Sequence, residues 1–202
     1  MPKIVDHEER KRLIADATIR AIKHVGLEKT TVRKIADEAG LSVGTVQYYF
    51  PAQQDLYIYA MELITHRIED RIRKAVRERL PIEQRAVNIM KQLISYEGEN
   101  ERMEGEAWLE FTVMALRDPA LEALSTKLFQ VTRELLASML DALRKSGYLG
   151  ACLDEELEAI SIHSFIDGIT LQANVYPKAF DDTKVEKLLT NYLDNLKRRS
   201  GT

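Results

Sequence analysis

Residues 30–55, TTVRKIADEAGLSVGTVQYYFPAQQD, hold two short segments of helical character separated by a glycine and closed by a proline. Val32, Ile35, Ala36 and Ala39 fall at i, i+3, i+4 and i+7, which is the apolar face of a short helix, with Thr30 or Thr31 available as its N-cap. Gly40 follows the last apolar position, where a glycine closes a helix in the left-handed conformation, and Leu41 beside it can fold back on the core. Ser42 can cap the orphan amides from Val43 to Thr45 and so begin a second helix. Pro51 stops that helix, because a residue before proline is pushed out of the helical region. Two helices joined by roughly four residues that include a glycine have the form of a helix-turn-helix, whose second helix enters the DNA major groove.

The flanking chain extends this pattern. Residues 1–7, with Lys3, are expected to form an arm, and Glu8 to Val25 a first helix ended by Gly26 and Leu27. Packed over the next two helices, it completes a three-helix domain at 1–52. A long helix from Gln54 to roughly Arg79 begins a second domain at 53–202. Beyond Pro81 the breakers Gly98, Asn100, Asp118-Pro119, Gly147, Gly150 and Pro177 divide the chain into helices at roughly 82–97, 102–117, 119–145, 154–175 and 182–199. No stretch alternates with period two, so the fold class is all-α, with about nine helices.

Composition narrows the function classes. The net charge is −3, but residues 1–80 carry 15 Lys and Arg against 12 Asp and Glu, whereas residues 81–202 carry 14 against 20. Nucleic acid would therefore meet the N-terminal part. The absence of an apolar run of membrane-spanning length and of an apolar leader points to a cytoplasmic protein with no membrane partner. The single Cys152 agrees with a reducing compartment and is expected to pack at a helix start. His7, His24, His66 and His163 form no pair at metal-ligand spacing, and no nucleophile-base set or phosphate loop appears, so neither an enzyme nor a metal or other cofactor is expected.

The block GLEKTTVRKIADEAGLSVGTVQYYFPAQQDL resembles the N-terminal DNA-binding domain of TetR-family transcriptional repressors. WLEFTVMALRDPALEAL and HSFIDGITLQANVYP resemble the BetI-like branch of that family. The resemblance implies a repressor that binds a palindromic double-stranded DNA operator as a homodimer and is released by a small-molecule effector. An activator, or a DNA-binding protein with no effector, shares the same sequence features.

Candidate residues follow from residue chemistry and from the resemblance together. Gln47 is the candidate reader, since its amide can pair bidentately with adenine. The resemblance brings Gly44 to the bases as well and faces Thr31, Arg33, Tyr48 and Tyr49 to the backbone; Ser42, Val43 and Thr45 complete the reading helix. Where the family has a polar cap and then a lysine after the Phe50 position, this chain has Ala52 and Gln53, and Gln53 can offer only a neutral contact. Val46 and Phe50 are expected in the core. The resemblance implies a small-molecule effector in the C-terminal domain, where Trp108, Phe111, Met114, Phe129, His163, Phe165, Ile166 and Asp167, an aromatic set with a few polar groups, could line its site; the BetI-like resemblance further implies a cation of the choline type, on which Trp108 and Phe111 could stack. The acidic run Glu97, Glu99, Glu101, Glu104 and Glu106 could attract a cationic ligand, but reads first as a solvated loop and helix start. Ile160, Ser164, Gly168, Leu171, Leu188 and Tyr192 are the candidate dimer contacts on the last two helices; a monomer core would give the same periodicity.

Overall fold

The computed structural model describes residues 6–94 and 96–201. Lys3 and most of the expected arm lie outside them. Among the described residues there are nine helices and no strand: α1 (His7–Val25), α2 (Val32–Ala39), α3 (Val43–Tyr49), α4 (Gln53–Arg77), α5 (Ile82–Leu93), α6 (Glu99–Ala115), α7 (Pro119–Lys145), α8 (Glu155–Val175) and α9 (Asp182–Arg199). None of them is long and apolar enough to cross a membrane.

Contacts group the chain into two compact units, Met1–Arg67 with Glu106–Ser125 and Ile68–Gly105 with Thr126–Thr202. The first unit thus takes more chain than the 1–52 expected from the sequence, because the opening turns of α4 pack with α1 to α3. Its core joins Ile14, Ala17 and Ala21 of α1 to Ile35 and Ala36 of α2, Val46 of α3, Phe50, and Leu56 of α4. Arg67 binds Asp16 at 2.5 Å further along the same helix. Asp6 starts α1 by accepting from the amides of Glu8 and Glu9, and Arg20 of α1 donates to Glu38 of α2 at 2.9 Å.

In the second unit, buried side chains of α5, α7, α8 and α9 form one apolar core with the later part of α4. Val185, Leu189, Leu193 and Leu196 of α9 are at most 1% exposed in it. The C-terminal turn of α9 closes against the α7–α8 connection, where Gly150 donates to the Ser200 hydroxyl. A Cβ on Gly150 would lie 2.0 Å from the Ser200 carbonyl oxygen, so only glycine permits this approach.

The helix expected over 82–97 ends at Leu93, and the next starts at Glu99 instead of 102. Ile94 takes extended backbone, and both it and Tyr96 turn into the core, with the Tyr96 hydroxyl donating to Asp182 at 2.9 Å. Burying these two side chains outweighs one more helical turn. Glu104 is not on a solvated face; it is 2% exposed and paired with Arg71 at 3.0 Å. Cys152 is exposed in the loop before α8 and does not pack.

Candidate functional site

The helix-turn-helix is built by local capping. Thr31 starts α2 by accepting from the Lys34 amide at 3.3 Å. Gly40 ends it in the left-handed region at φ 65°, where a side chain would be strained, and the Leu41 amide returns to the Ala36 carbonyl at 2.9 Å. Ser42 then caps α3, accepting from the Thr45 amide at 3.0 Å, while the two hydroxyls share a hydrogen bond of 2.8 Å. Val46 is fully buried and Phe50 is 5% exposed, which anchors one side of α3.

The other side of α3 faces out. Val43, Gly44, Gln47 and Tyr48 are exposed, Tyr48 by 72%. Tyr49 is half-buried, with its hydroxyl 3.1 Å from His7 Nδ1 and its ring edge-on to Tyr48. A Cβ on Gly44 would find only the Ser42 hydroxyl oxygen, at 3.8 Å, so packing inside the protein does not require glycine there. Gly44→Leu should therefore keep the melting temperature within a few degrees while weakening DNA binding by at least about tenfold in an anisotropy titration, because the added side chain holds the backbone off the groove floor. Unchanged affinity would remove Gly44 from the interface.

Arg10 of α1 joins Ser42, Gly44, Thr45, Tyr48 and Tyr49 around one concave surface. Its guanidinium has no hydrogen bond or ion pair among the described residues, and neither has that of exposed Arg33. Lys11, in contrast, is paired with Glu8 at 3.0 Å. Nothing local in the sequence sets Arg10 apart from its neighbours, because only the fold brings α1 beside α3. Gln53 moves the other way. Its amide nitrogen donates to the Thr30 carbonyl at 2.5 Å and to the Tyr57 hydroxyl, which itself lies 2.9 Å from the same carbonyl. In this structure the Gln53 amide nitrogen is thus engaged internally, by the Thr30 carbonyl at the end of the α1–α2 loop, while the residue stays exposed. The poor cap Ala52 is offset in part by Asp55, whose carboxylate accepts from the Ala52 amide at 3.2 Å.

The expected effector residues divide between the units. Trp108 and Met114 are half-buried on α6 and Phe111 is 2% exposed, all in the first unit. In the second unit, Phe129 of α7 is 45% exposed and stacks on His163 of α8, with ring centroids 5.2 Å apart. His163 Nε2 lies 3.7 Å from Asp167, and the Arg133 guanidinium sits 5.5 Å from the Phe129 ring centre. Burial lowers the His163 pKa and raises that of Asp167, so both shifts favour the neutral forms. His163 Nδ1 and Arg133 Nε are buried without a hydrogen-bond partner. Arg133 was not legible as a site residue, since its position beside Phe129 looks like one more charge on a mixed helix. Two members of the expected set belong elsewhere. Ile166 is 2% exposed in the hydrophobic core, on the same face of α8 as Ile162, Ile169 and Ala173, and Phe165 stacks on Tyr192 at 4.8 Å.

The candidate dimer stripe is unevenly available. Leu157, Ile160, Leu171 and Val175 of α8 are 56%, 36%, 49% and 53% exposed, Ser164 is exposed, and a Cβ on Gly168 would meet nothing within 4 Å. On α9, Leu188 and Tyr192 are half-buried against the protomer's own core. Burial pushes the Tyr192 hydroxyl up to about 12, close to Glu158.

Two family models match the chain: bacterial regulatory proteins of the tetR family over residues 14–60, and the BetI-type transcriptional repressor C-terminal domain over residues 68–198. The chain is 33% identical over 198 residues to the HTH-type transcriptional regulator PksA of Bacillus subtilis (strain 168), covering 97% of this chain and 94% of PksA. It is 30% identical over 201 residues to the HTH-type transcriptional regulator BetI of Vibrio campbellii (strain ATCC BAA-1116), covering 96% and 95%. In fold it is similar to a transcriptional regulator from Saccharomonospora viridis solved in complex with choline, with a TM-score of 0.82 at 20% identity and coverage of 93% and 96%. With the capped two-helix reading head at one end of the chain and an all-helical second region after it, these matches identify a transcriptional regulator and not an enzyme: the chain belongs to the TetR family, with a BetI-type C-terminal domain.

Proposed function

We propose that the protein is a cytoplasmic, homodimeric repressor that binds a palindromic operator and is released by a small-molecule effector. The observation that carries the DNA-binding part is α3 itself. Its inward Val46 and the Phe50 that caps its end are buried, while Gly44, Gln47 and Tyr48 face outward on a capped helix. Gln47 reads a base edge; Tyr48, Thr31, Arg33 and Arg10 hold phosphates and set the register. Two copies joined through α8 present two such helices, and the symmetry of the pair demands a symmetric operator.

The effector binds at the Phe129, Arg133, His163 and Asp167 cluster. Buried nitrogens without partners on His163 and Arg133 support a ligand there, because such atoms are costly unless a bound molecule satisfies them. The signal has a covalent route. Helices α4, α6 and α7 each run from one unit into the other, and Glu110 of α6 accepts from the Leu27 amide at 3.2 Å, beside the turn that leads into α2. A ligand that prefers one arrangement of these helices shifts the population towards it only as far as its affinities for the two states differ.

A metabolite screen on the protein bound to its selected duplex tests this reading, with choline included because a structural relative was solved with it. Phe129→Ala should blunt release by the compound found while leaving operator affinity within about threefold. Equal release from wild type and variant contradicts the site. Failure of any compound to release the duplex favours a regulator without an effector.

A further inference from the structure

His7, the first residue of α1, meets Tyr49, the last of α3, across 42 positions of sequence. Its Nδ1 lies 3.1 Å from the Tyr49 hydroxyl, and the two ring centroids are 5.6 Å apart. His7 is exposed and Tyr49 half-buried, with the tyrosine ring edge-on to the exposed Tyr48. Tyr49 also lines the concave surface that it shares with Arg10, Ser42, Gly44, Thr45 and Tyr48. Arg10 stands three residues on from His7, on the same side of α1. The pair therefore borders the surface to which the proposal above assigns operator phosphates.

A phenol and an imidazole nitrogen at this distance share one hydrogen, and which group supplies it depends on the charge of the ring. In neutral His7 with its hydrogen on Nε2, Nδ1 accepts from the Tyr49 hydroxyl. The phenol then turns its hydrogen to the ring and offers a phosphate only lone pairs. Once His7 takes up a proton, Nδ1 becomes the donor and the Tyr49 oxygen the acceptor. The phenol hydrogen must then point away from the ring, where a phosphate oxygen can accept it, while the Nε2–H carries positive charge at an exposed edge. One proton thus adds a charge and frees a second donor.

The neighbouring charges have other partners. On α1, Asp6 accepts from the amides of Glu8 and Glu9, and Glu8 binds Lys11 at 3.0 Å and the Tyr59 hydroxyl of α4 at 3.4 Å; Glu9 and Arg12 are exposed. From α3, Tyr49 meets the imidazole, with Tyr48 behind it. Resting on the assignment of α3 as the DNA-facing helix, we infer that His7 and Tyr49 form a proton-dependent phosphate clamp, in which the protonated imidazole contacts the backbone and turns the Tyr49 hydroxyl towards it. A phosphate favours the imidazolium, so the complex holds more protons than the free protein. Affinity for DNA rises as pH falls through the range in which histidine titrates, about 8 to 5.

Two measurements test the clamp. In the free protein labelled with nitrogen-15 histidine, long-range nitrogen–proton NMR at pH 8 should show His7 with its hydrogen on Nε2; a hydrogen on Nδ1 overturns the clamp and leaves the role of α3 untouched. Anisotropy titrations at constant ionic strength, on the duplex enriched from a random library, should show affinity rising at least about tenfold from pH 8 to pH 6, since two protomers take up as many as two protons. His7→Gln keeps a hydrogen-bonding group without the charge and should hold that change within about twofold. Tyr49→Phe should cost at least about threefold more at pH 6 than at pH 8, a difference that loss of packing alone would not produce. His24, His66 and His163 remain in both variants, so a rise in His7→Gln equal to that of wild type overturns the clamp by giving the proton to one of them. A loss in Tyr49→Phe that is equal at the two pH values overturns it as well. Tight binding that ignores pH refutes the clamp alone, whereas failure to bind any duplex at either pH refutes the DNA-binding role beneath it too.

Discussion

Replacing Leu171 by glutamate is expected to turn the protein into a monomer and to abolish tight operator binding, while the protomer melts as before. Leu171 is 49% exposed on α8 and lines the same stripe as Leu157, Ile160 and Val175. Its exposure means that the protomer loses little when a carboxylate replaces it. Across a two-fold interface the same change occurs twice. Each copy forfeits about 1 kcal/mol of apolar burial, and each brings a charge that must be desolvated. Together these raise the dimer dissociation constant by at least about a hundredfold. Sedimentation or light scattering reads the mass directly. An unchanged dimer with this variant would move the interface off α8, and a monomer that still bound a full operator tightly would disconnect dimerisation from DNA reading.

The second large effect is expected at Gln47. A bidentate amide–adenine pair is worth about 1–3 kcal/mol of discrimination, so Gln47→Ala should lose roughly 10- to 100-fold on the matched operator and far less on an operator altered at the base pair it reads. Tyr48→Phe removes only the hydroxyl proposed to contact phosphate and should weaken binding by a similar, smaller factor on every sequence. Anisotropy titrations of both variants on matched and altered duplexes separate the roles. Equal losses on both duplexes for both variants would contradict the assignment of Gln47 as reader.

Much of the head was legible because its signals are local. Gly40, Ser42 and Pro51 each act within a few residues, through a left-handed turn, a cap and a blocked helical conformation, and α2 and α3 end where those residues dictate. The limits of α7 and α9 were equally readable, at 119–145 and 182–199, from Asp118-Pro119, Gly147 and the break at Pro177. What escaped depends on distance in sequence. Tyr96 meets Asp182 and Gln53 meets Thr30, and neither partner can be named from the local pattern. Arg10 and Arg133 look like any charge on a mixed helix until α3 and α8 pack beside them. The apolar faces of α8 and α9 have the same period, yet α9 spends Val185, Leu189, Leu193 and Leu196 on the protomer core and α8 leaves its stripe open. Periodicity reports that a face is apolar; only packing reports what covers it.

The measurement that bears most directly on the central claim, that paired copies of α3 read DNA, is selection of bound duplexes from a random library at two salt concentrations. Paired reading helices should select a palindrome whose half-sites lie about one helical turn or a multiple apart, with an affinity that falls steeply with salt as phosphate contacts are screened. No enriched sequence, or a single half-site held by one protomer, would contradict it.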